Sequence, residues 1–335
     1  MSETEYLFEL SGEHPTLPQA ELDACLDIAG PKCKVTSRGA GYAICSLPSN
    51  KMGAIISRIA LAHRAGTYLG SCQPDEAGRF AEQLEFPSGT IAVRVRRYQG
   101  EGSPDGANRI MHKIGMAVTQ GRKADLIHPD LKLRVLWSKQ LHLYLDEMQV
   151  DRGQFEERHV RSRPFFSPIS LHPRHARALV NLTRVKEGGT LLDPFCGTGG
   201  ILLEASLIGA KVIGSDISSE MVEGCEENMR HFGARFHRLE VMDVEDAPKE
   251  FSNIDAVATD PPYGRSSSTM KEPVMDLHAR AFAAIGEVIS PKGFAGVVLP
   301  YAFTGKDRLV EVEEHVQRVH RSLDRHYCLL KRRGP

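Results

Sequence analysis

The sequence predicts an α/β protein in which a mostly parallel sheet, covered on both faces, fills the C-terminal half and smaller α+β domains precede it. Three observations carry this. From residue 164 onward short apolar runs alternate with helical patterns, as expected of a sheet with helices on both faces. Four of those runs lead into an acid, at Asp193, Asp216, Asp243 and Asp260. The 335 residues exceed one ordinary domain, and 41% hydrophobic with 25% charged residues is the composition of a soluble globular protein.

Composition also removes several function classes. No apolar run approaches membrane-spanning length, and the start, Met1-Ser2-Glu3-Thr4-Glu5, has neither the basic flank nor the apolar core of a signal peptide, so a cytoplasmic location is expected. Cysteines at 25, 33, 45, 72, 196, 225 and 328 form no Cys-x-x-Cys pair, which argues for buried free thiols over a disulfide framework or a zinc site. A net charge of −1 conceals segregation: residues 1–31 hold no Lys or Arg, residues 90–142 hold ten against four acids, and the last 21 residues hold six against Asp324 alone. Such a chain can turn one face to a polyanion, although solvated surface is the ordinary fate of a charge run.

Residues 1–65 read as a small ferredoxin-like α/β domain. Tyr6 to Leu10 suggests a strand, and Pro18 opens a helix whose Leu22, Cys25, Leu26 and Ala29 share a face until Gly30 and Pro31 stop it. Gly41 to Cys45 is a second strand, and Ile55, Ile56, Ile59 and Ala60 the buried stripe of a second helix. Nothing in this block carries chemistry.

Residues 66–150 begin with a strand at 67–70 and a helix around 75–84. Thr90 to Arg97 then alternates apolar with basic residues, placing Arg94 and Arg96 opposite Val93 and Val95. A helix over 108–120 turns Ile110, Ile114 and Ala117 inward and Arg109 and Lys113 outward, and strands follow at 131–137 and 141–145. The Arg-rich strand and the pattern Asp125-Leu126-x-x-Pro129-x-Leu131-x-Leu133-Arg134-Val135-Leu136 resemble the THUMP domain, an RNA-binding module of RNA-modifying enzymes that recognises the acceptor end of tRNA. That resemblance nominates Arg94, Arg96, Arg97, Arg109, Lys113 and Arg134 as RNA contacts. Residues 151–163, with arginines at 152, 158, 161 and 163, read as a basic extended linker in which Arg161 also faces RNA.

In the fourth segment, 164–335, Pro173 suits the first turn of a helix and Gly188-Gly189 ends it. The strand Thr190 to Asp193 runs into Asp193-Pro194-Phe195-Cys196-Gly197-Thr198-Gly199-Gly200, a glycine turn that lets a ligand approach the backbone at a helix N-terminus. There is no Gly-Lys-Ser/Thr for a phosphate loop, and Leu202 stands where a dinucleotide fingerprint needs glycine. Asp193 instead suits a cationic amino-acid moiety such as that of S-adenosylmethionine. Asp216 is placed for ribose hydroxyls, and Asp243 for the adenine amine with Val244 lining the ring. A single strand-end Asp is ordinarily a cap or surface residue, but four in succession fit the rule that open α/β sheets bind ligands beyond their strands' carboxyl ends. At the last of them stands Thr259-Asp260-Pro261-Pro262-Tyr263-Gly264. Two prolines cannot donate to a sheet and stiffen the exit from the strand, so a carboxylate, the Pro261 carbonyl and an aromatic face are held together, a set suited to a base amine.

Taken together these motifs resemble class I S-adenosylmethionine-dependent methyltransferases of the amino-methylating group. With the THUMP-like block ahead, and with Arg163-Pro164-Phe165-Phe166 and Asp260 to Ser267, the chain resembles the archaeal-type tRNA (guanine-N2)-methyltransferases. The resemblance implies S-adenosylmethionine as cofactor, with Phe165, His172, Pro173, Pro194, Cys196, Gly197, Thr198, Gly199 and Ile217 joining Asp193, Asp216, Asp243, Val244 and Asp260 around it. It implies tRNA as partner, guanosine 10 as target and mono- or dimethylated N2 as product, and it leaves room for a small activating protein that no motif specifies. Asp260, Pro261, Pro262 and Tyr263 would carry direct methyl transfer to N2, Tyr263 stacking on a flipped base and Asp260 or a water taking the proton. Neither a metal nor a covalent intermediate is required, and Cys196 reads as a packing residue. The competing readings are a same-fold methyltransferase of another tRNA guanosine or of adenine N6, and a non-catalytic tRNA-binding protein. The polar loop 264–269 is expected to order over substrate or to be inert surface, and Arg321 and Arg325 to touch RNA.

Overall fold

The computed structural model describes residues 3–167, 170–264, 272–304, 308–321 and 323–334. The chain forms two compact units, Met1–Gln19 with Ala29–Ser57 and Leu61–Val150, and Ala20–Ile28 with Arg58–Ala60 and Asp151–Pro335.

The first unit carries strands β1 (Glu3–Leu10), β2 (Lys34–Gly39), β3 (Tyr42–Pro48), β4 (Ala62–Cys72), β5 (Ile91–Arg97), β6 (Leu131–Ser138), β7 (Gln140–Leu145) and β8 (Met148–Gln149). Its helices are α1 (Leu17–Ala29, shared with the second unit), α2 (Ser49–Arg58), α3 (Ala77–Glu82) and α4 (Pro104–Val118). One eight-stranded sheet runs in the order β2-β3-β1-β4-β7-β6-β5, with β8 against β4. The boundary expected at residue 65 therefore falls inside β4. This strand is 11 residues long, enough to pair β1 along its first half (Leu7 with Gly66) and β7 along its second (Ser71 with His142). The edge strand β2 escapes sequence reading because it is exposed along most of its length and shows no apolar alternation. Helix α4 starts where Ser103 Oγ accepts from Gly106 N at 3.0 Å, with Pro104 in its first turn, and buries Ile110, Ile114 and Val118 against β5 and β6.

Among the expected RNA contacts of this unit, Arg96 is ion-paired with Glu9 and Arg134 Nε lies 3.1 Å from Asp146 Oδ2. Glu9 is 1% exposed and also accepts from Tyr144 OH at 2.8 Å; a carboxylate so buried needs a cation, and Arg96 supplies it. Arg94 donates to the carbonyls of Val93 and Leu126, and Arg97 to that of Gly102. Arg109 and Lys113 stand exposed on α4, as expected.

The second unit contains α5 (Gly153–Glu157), α6 (Pro173–Leu182), β9 (Thr190–Asp193), α7 (Gly200–Leu207), β10 (Lys211–Asp216), α8 (Ser219–His231), β11 (Arg238–Val241), α9 (Ala247–Glu250), β12 (Ile254–Thr259), α10 (Val274–Val288), β13 (Ile289–Leu299), β14 (Leu309–His320) and β15 (Leu323–Arg332). Its seven strands run β11-β10-β9-β12-β13-β15-β14, which counted from β9 is 3-2-1-4-5-7-6. The first five are parallel to one another, while β15 is antiparallel to both β13 and β14. Leu192, Val257, Val297 and Leu330 meet in the buried core of this sheet.

The segment 151–163 is not an extended linker. It forms α5 and a 3-10 turn at Val160–Ser162 inside the second unit. Arg158 Nε lies 2.7 Å from Glu204 Oε1, and Arg177 Nη2 lies 2.8 Å from Glu204 Oε2, all three side chains being buried. Arg163 donates to the Arg158 carbonyl. Glu204 draws these arginines inward, because its carboxylate on the buried α7 would otherwise be unpaired. Of the four arginines, Arg161 is exposed and fits a solvent-facing role. Residues 265–269 of the expected substrate loop lie outside the described residues.

Candidate active site

The acids at 193, 216, 243 and 260 come together because β9 to β12 are parallel and end on one edge, where the strand order reverses around β9. They line one cleft of about 1170 Å³. That exceeds the roughly 300–1,000 Å³ typical of one small-molecule site, leaving room for two ligands side by side. Of the expected cofactor positions, Pro194, Cys196, Gly197, Thr198, Ile217 and Val244 line the same cleft, as do Pro261, Pro262 and Tyr263.

Phe165, His172, Pro173 and Gly199 do not line it. Phe165 packs on Gly224 of α8, where a methyl group would fall 2.1 Å from its ring, and its backbone is held by Asn228. His172 caps α6 by accepting from Arg174 N at 3.2 Å, with Pro173 in the first turn behind it. Gly199 adopts φ +81° and a methyl there would lie 2.6 Å from Cys225 Sγ, so the turn requires glycine for packing.

At the β9 end, Asp193 Oδ1 accepts from Thr259 Oγ1 at 2.7 Å and from Phe195 N at 3.1 Å. Burial pushes its carboxyl up to about 7 against the pull of those two donors. Asp216 Oδ2 accepts from Gly197 N and Oδ1 from Ser218 N, both at 3.0 Å, tying the glycine turn to the start of α8; burial raises its pKa as well. Asp243 lies two residues beyond β11 and accepts from Glu245 N and from Arg280 Nη1, the latter at 2.6 Å. Burial pushes its pKa up, but the Arg280 guanidinium and the Glu245 amide more than reverse that and hold it below the usual range. Arg280 also grips Glu272 at 2.8 Å, clamping α10 to the cleft. Cys196 is buried and its thiol is held protonated by a hydrogen bond with Cys225 and by burial, consistent with a packing role.

At the β12 end, Tyr263 OH donates to Asp260 Oδ1 at 2.5 Å. Burial pushes the Asp260 carboxyl up to about 6, opposed by that hydrogen bond and by the charge of Arg325. The Pro262 carbonyl lies 3.0 Å from His278 Nε2, and His278 Nδ1 contacts Tyr301 OH. A carbonyl can only accept, so Nε2 carries the hydrogen and Nδ1 accepts from the tyrosine. This brace fixes the double-proline corner while no described residue takes the Pro261 carbonyl. The result is an acceptor pair, Asp260 Oδ2 and Pro261 O, beside a tyrosine whose hydroxyl is anchored. Such a pair can hold the N–H groups of a planar amine.

His278, Tyr301 and Arg280 escape sequence reasoning because each meets its partner 16 to 37 residues away through tertiary packing. Thr259 lay within the double-proline motif, and a Thr ending a buried strand beside an acid was the available signal.

Residues 160–324 match the family described as RMKL-like, methyltransferase domain. The chain is 33% identical over 339 residues to the tRNA (guanine(10)-N2)-dimethyltransferase of Methanothermobacter thermautotrophicus, an alignment covering 98% of this chain and 99% of that one. It is 35% identical to the enzyme of that name from Pyrococcus abyssi over 83% of this chain and 86% of that one. The crystal structure of TrmN from Thermus thermophilus matches with a TM-score of 0.55 at 22% identity, covering 98% of this chain and 100% of that one, a likeness of fold. Sequence and cleft agree, and the chain belongs to the tRNA (guanine(10)-N2)-dimethyltransferase family.

Proposed function

We propose that the protein is an S-adenosylmethionine-dependent tRNA methyltransferase acting on the exocyclic N2 of guanosine 10, giving N2-methyl- and N2,N2-dimethylguanosine. The observation that carries this is the convergence of Asp193, Asp216, Asp243 and Asp260 on one cleft with the double-proline corner at its end. The relatives' names supply the substrate.

The donor set fits the cofactor. Asp193 offers a buried anion to an amino-acid ammonium, Asp216 keeps lone pairs for ribose hydroxyls, and Asp243, oriented by Arg280, faces the adenine end beside Val244. When bound, S-adenosylmethionine supplies a methyl group on a cationic sulfur. The chain's own residues do the rest. Asp260 Oδ2 and the Pro261 carbonyl accept from N2, turning the nitrogen lone pair out of conjugation with the ring. Tyr263 forms the wall on which the base stacks and keeps Asp260 Oδ1 in place. Asp260, ionised above about 6, takes up the proton as charge grows on nitrogen.

In the first unit the THUMP-like block binds the acceptor end of tRNA, with exposed Arg109 and Lys113 on the binding face. No helix among the described residues is long and apolar enough to cross a membrane. The test is incubation with unmodified tRNA and S-adenosylmethionine, followed by nucleoside mass spectrometry and position mapping. Methylated guanosine at position 10 is expected; methylated adenosine, or no product, would overturn the reading.

A further inference from the structure

Strand β15 is antiparallel to β13, so its beginning lies beyond β13's carboxyl end, on the same edge as Asp260. Residues 325 and 327 share a face of that strand. Tyr327 is fully buried, its hydroxyl donating to Gln317 Oε1 at 3.0 Å, and it lies near enough to Tyr263 to disfavour its ionisation. Arg325, two residues before it, is among the residues lining the cleft together with Asp260 and Tyr263. Its positive charge is felt at both Asp260 and Tyr263, yet its Nε is buried without a hydrogen-bond partner among the described residues. A buried guanidinium nitrogen with nothing to donate to is costly, and at the edge of a cleft it points to a group that arrives later.

We infer that Arg325 is a specificity-determining residue that donates to the O6 carbonyl of the target guanine while Asp260 accepts from its N2. The inference rests on the function proposed above and goes beyond it by saying how the base is chosen. Ionised Asp260 can only accept and Arg325 can only donate. A base spanning them must offer N–H at one end of an edge and an acceptor at the other. Guanine's Watson–Crick edge does so, with the N2 and N1 hydrogens at one end and O6 at the other. 2,6-Diaminopurine keeps the N2 amine but carries a second amine in place of O6, setting donor against donor. Adenine lacks the N2 amine altogether.

The test uses full-length protein and one tRNA sequence assembled with either guanosine or 2,6-diaminopurine at the target nucleotide. Wild type should prefer guanosine in kcat/KM by about 10- to 100-fold, the discrimination that one well-placed arginine–base contact supplies. In Arg325→Ala the preference should collapse toward unity through loss on the guanosine tRNA, with S-adenosylmethionine affinity by calorimetry unchanged. Arg325→Lys should recover part of it. Unchanged cofactor affinity in both variants certifies their folding. Equal preference in wild type and variant overturns the inference. So does a loss confined to KM for tRNA with a shallower salt dependence, which would make Arg325 a phosphate contact. A wild type that methylates neither tRNA instead overturns the proposed function and the inference with it.

Discussion

The two ends of the cleft meet different demands with the same residue type. At the β9–β10 end, Asp193 and Asp216 are already bound by the chain's own donors, through Thr259, Phe195, Gly197 and Ser218. These carboxylates build the glycine turn and, in the function proposed, also hold the cofactor. At the β12 end, Asp260 receives one internal donor, Tyr263, and the surrounding brace from His278 acts on the backbone rather than on the carboxylate. A cofactor site is used identically in every turnover and gains from rigidity. A site for a transferred hydrogen must keep an oxygen uncommitted.

This contrast is open to direct challenge. The largest effect belongs to Asp260→Ala, which should lower methyl transfer by about 10³-fold or more while leaving cofactor affinity within about twofold. In wild type, the acid limb of kcat/KM should lie near pH 6, since Asp260 accepts only when ionised. Near-normal turnover in the variant would remove Asp260 from the chemistry. A smaller effect is expected of Asp216→Ala, where losing hydrogen bonds to a charged acceptor weakens cofactor binding by about 10- to 100-fold in calorimetry. Equal losses of affinity in the two variants would erase the distinction between the ends.

The smallest effect sharpens the comparison through pH. The folded Asp193 carboxyl is pushed up to about 7, above the value of about 4 of an unfolded chain. The stability tied to its proton is therefore full below about 4 and lost as pH rises through about 7. Asp193→Asn lacks this term, so without cofactor its Tm should gain on wild type between about pH 4 and 7 and hold that gain above. A Tm difference independent of pH would show that Asp193 does not titrate there.

The catalytic half was legible because its signals are local. Strand-end acids, a glycine turn and Pro261-Pro262 each state their geometry within a few residues, and parallel strands then bring them to one edge. The arginines show the limit of such reading. Arg158 and Arg161 look alike in the sequence, yet one is buried against Glu204, 46 residues away, and the other is exposed. Arg96, in a strand that reads as a basic face, is bound to the buried Glu9, 87 residues away in the chain. The boundary expected at residue 65 failed for a related reason, since apolar alternation marks a strand but not which neighbours share it.

The sequence alone determined the alternation of strands and helices around the glycine turn, the carboxylates at the strand tips and the stiff double-proline corner, because periodicity and backbone restriction act over short spans of chain. Only the tertiary structure decided which charges face inward, which helix braces the double-proline corner and which arginine reaches the cleft. Those outcomes depend on pairing between distant residues, where burial makes an unmatched charge costly and so selects its partner.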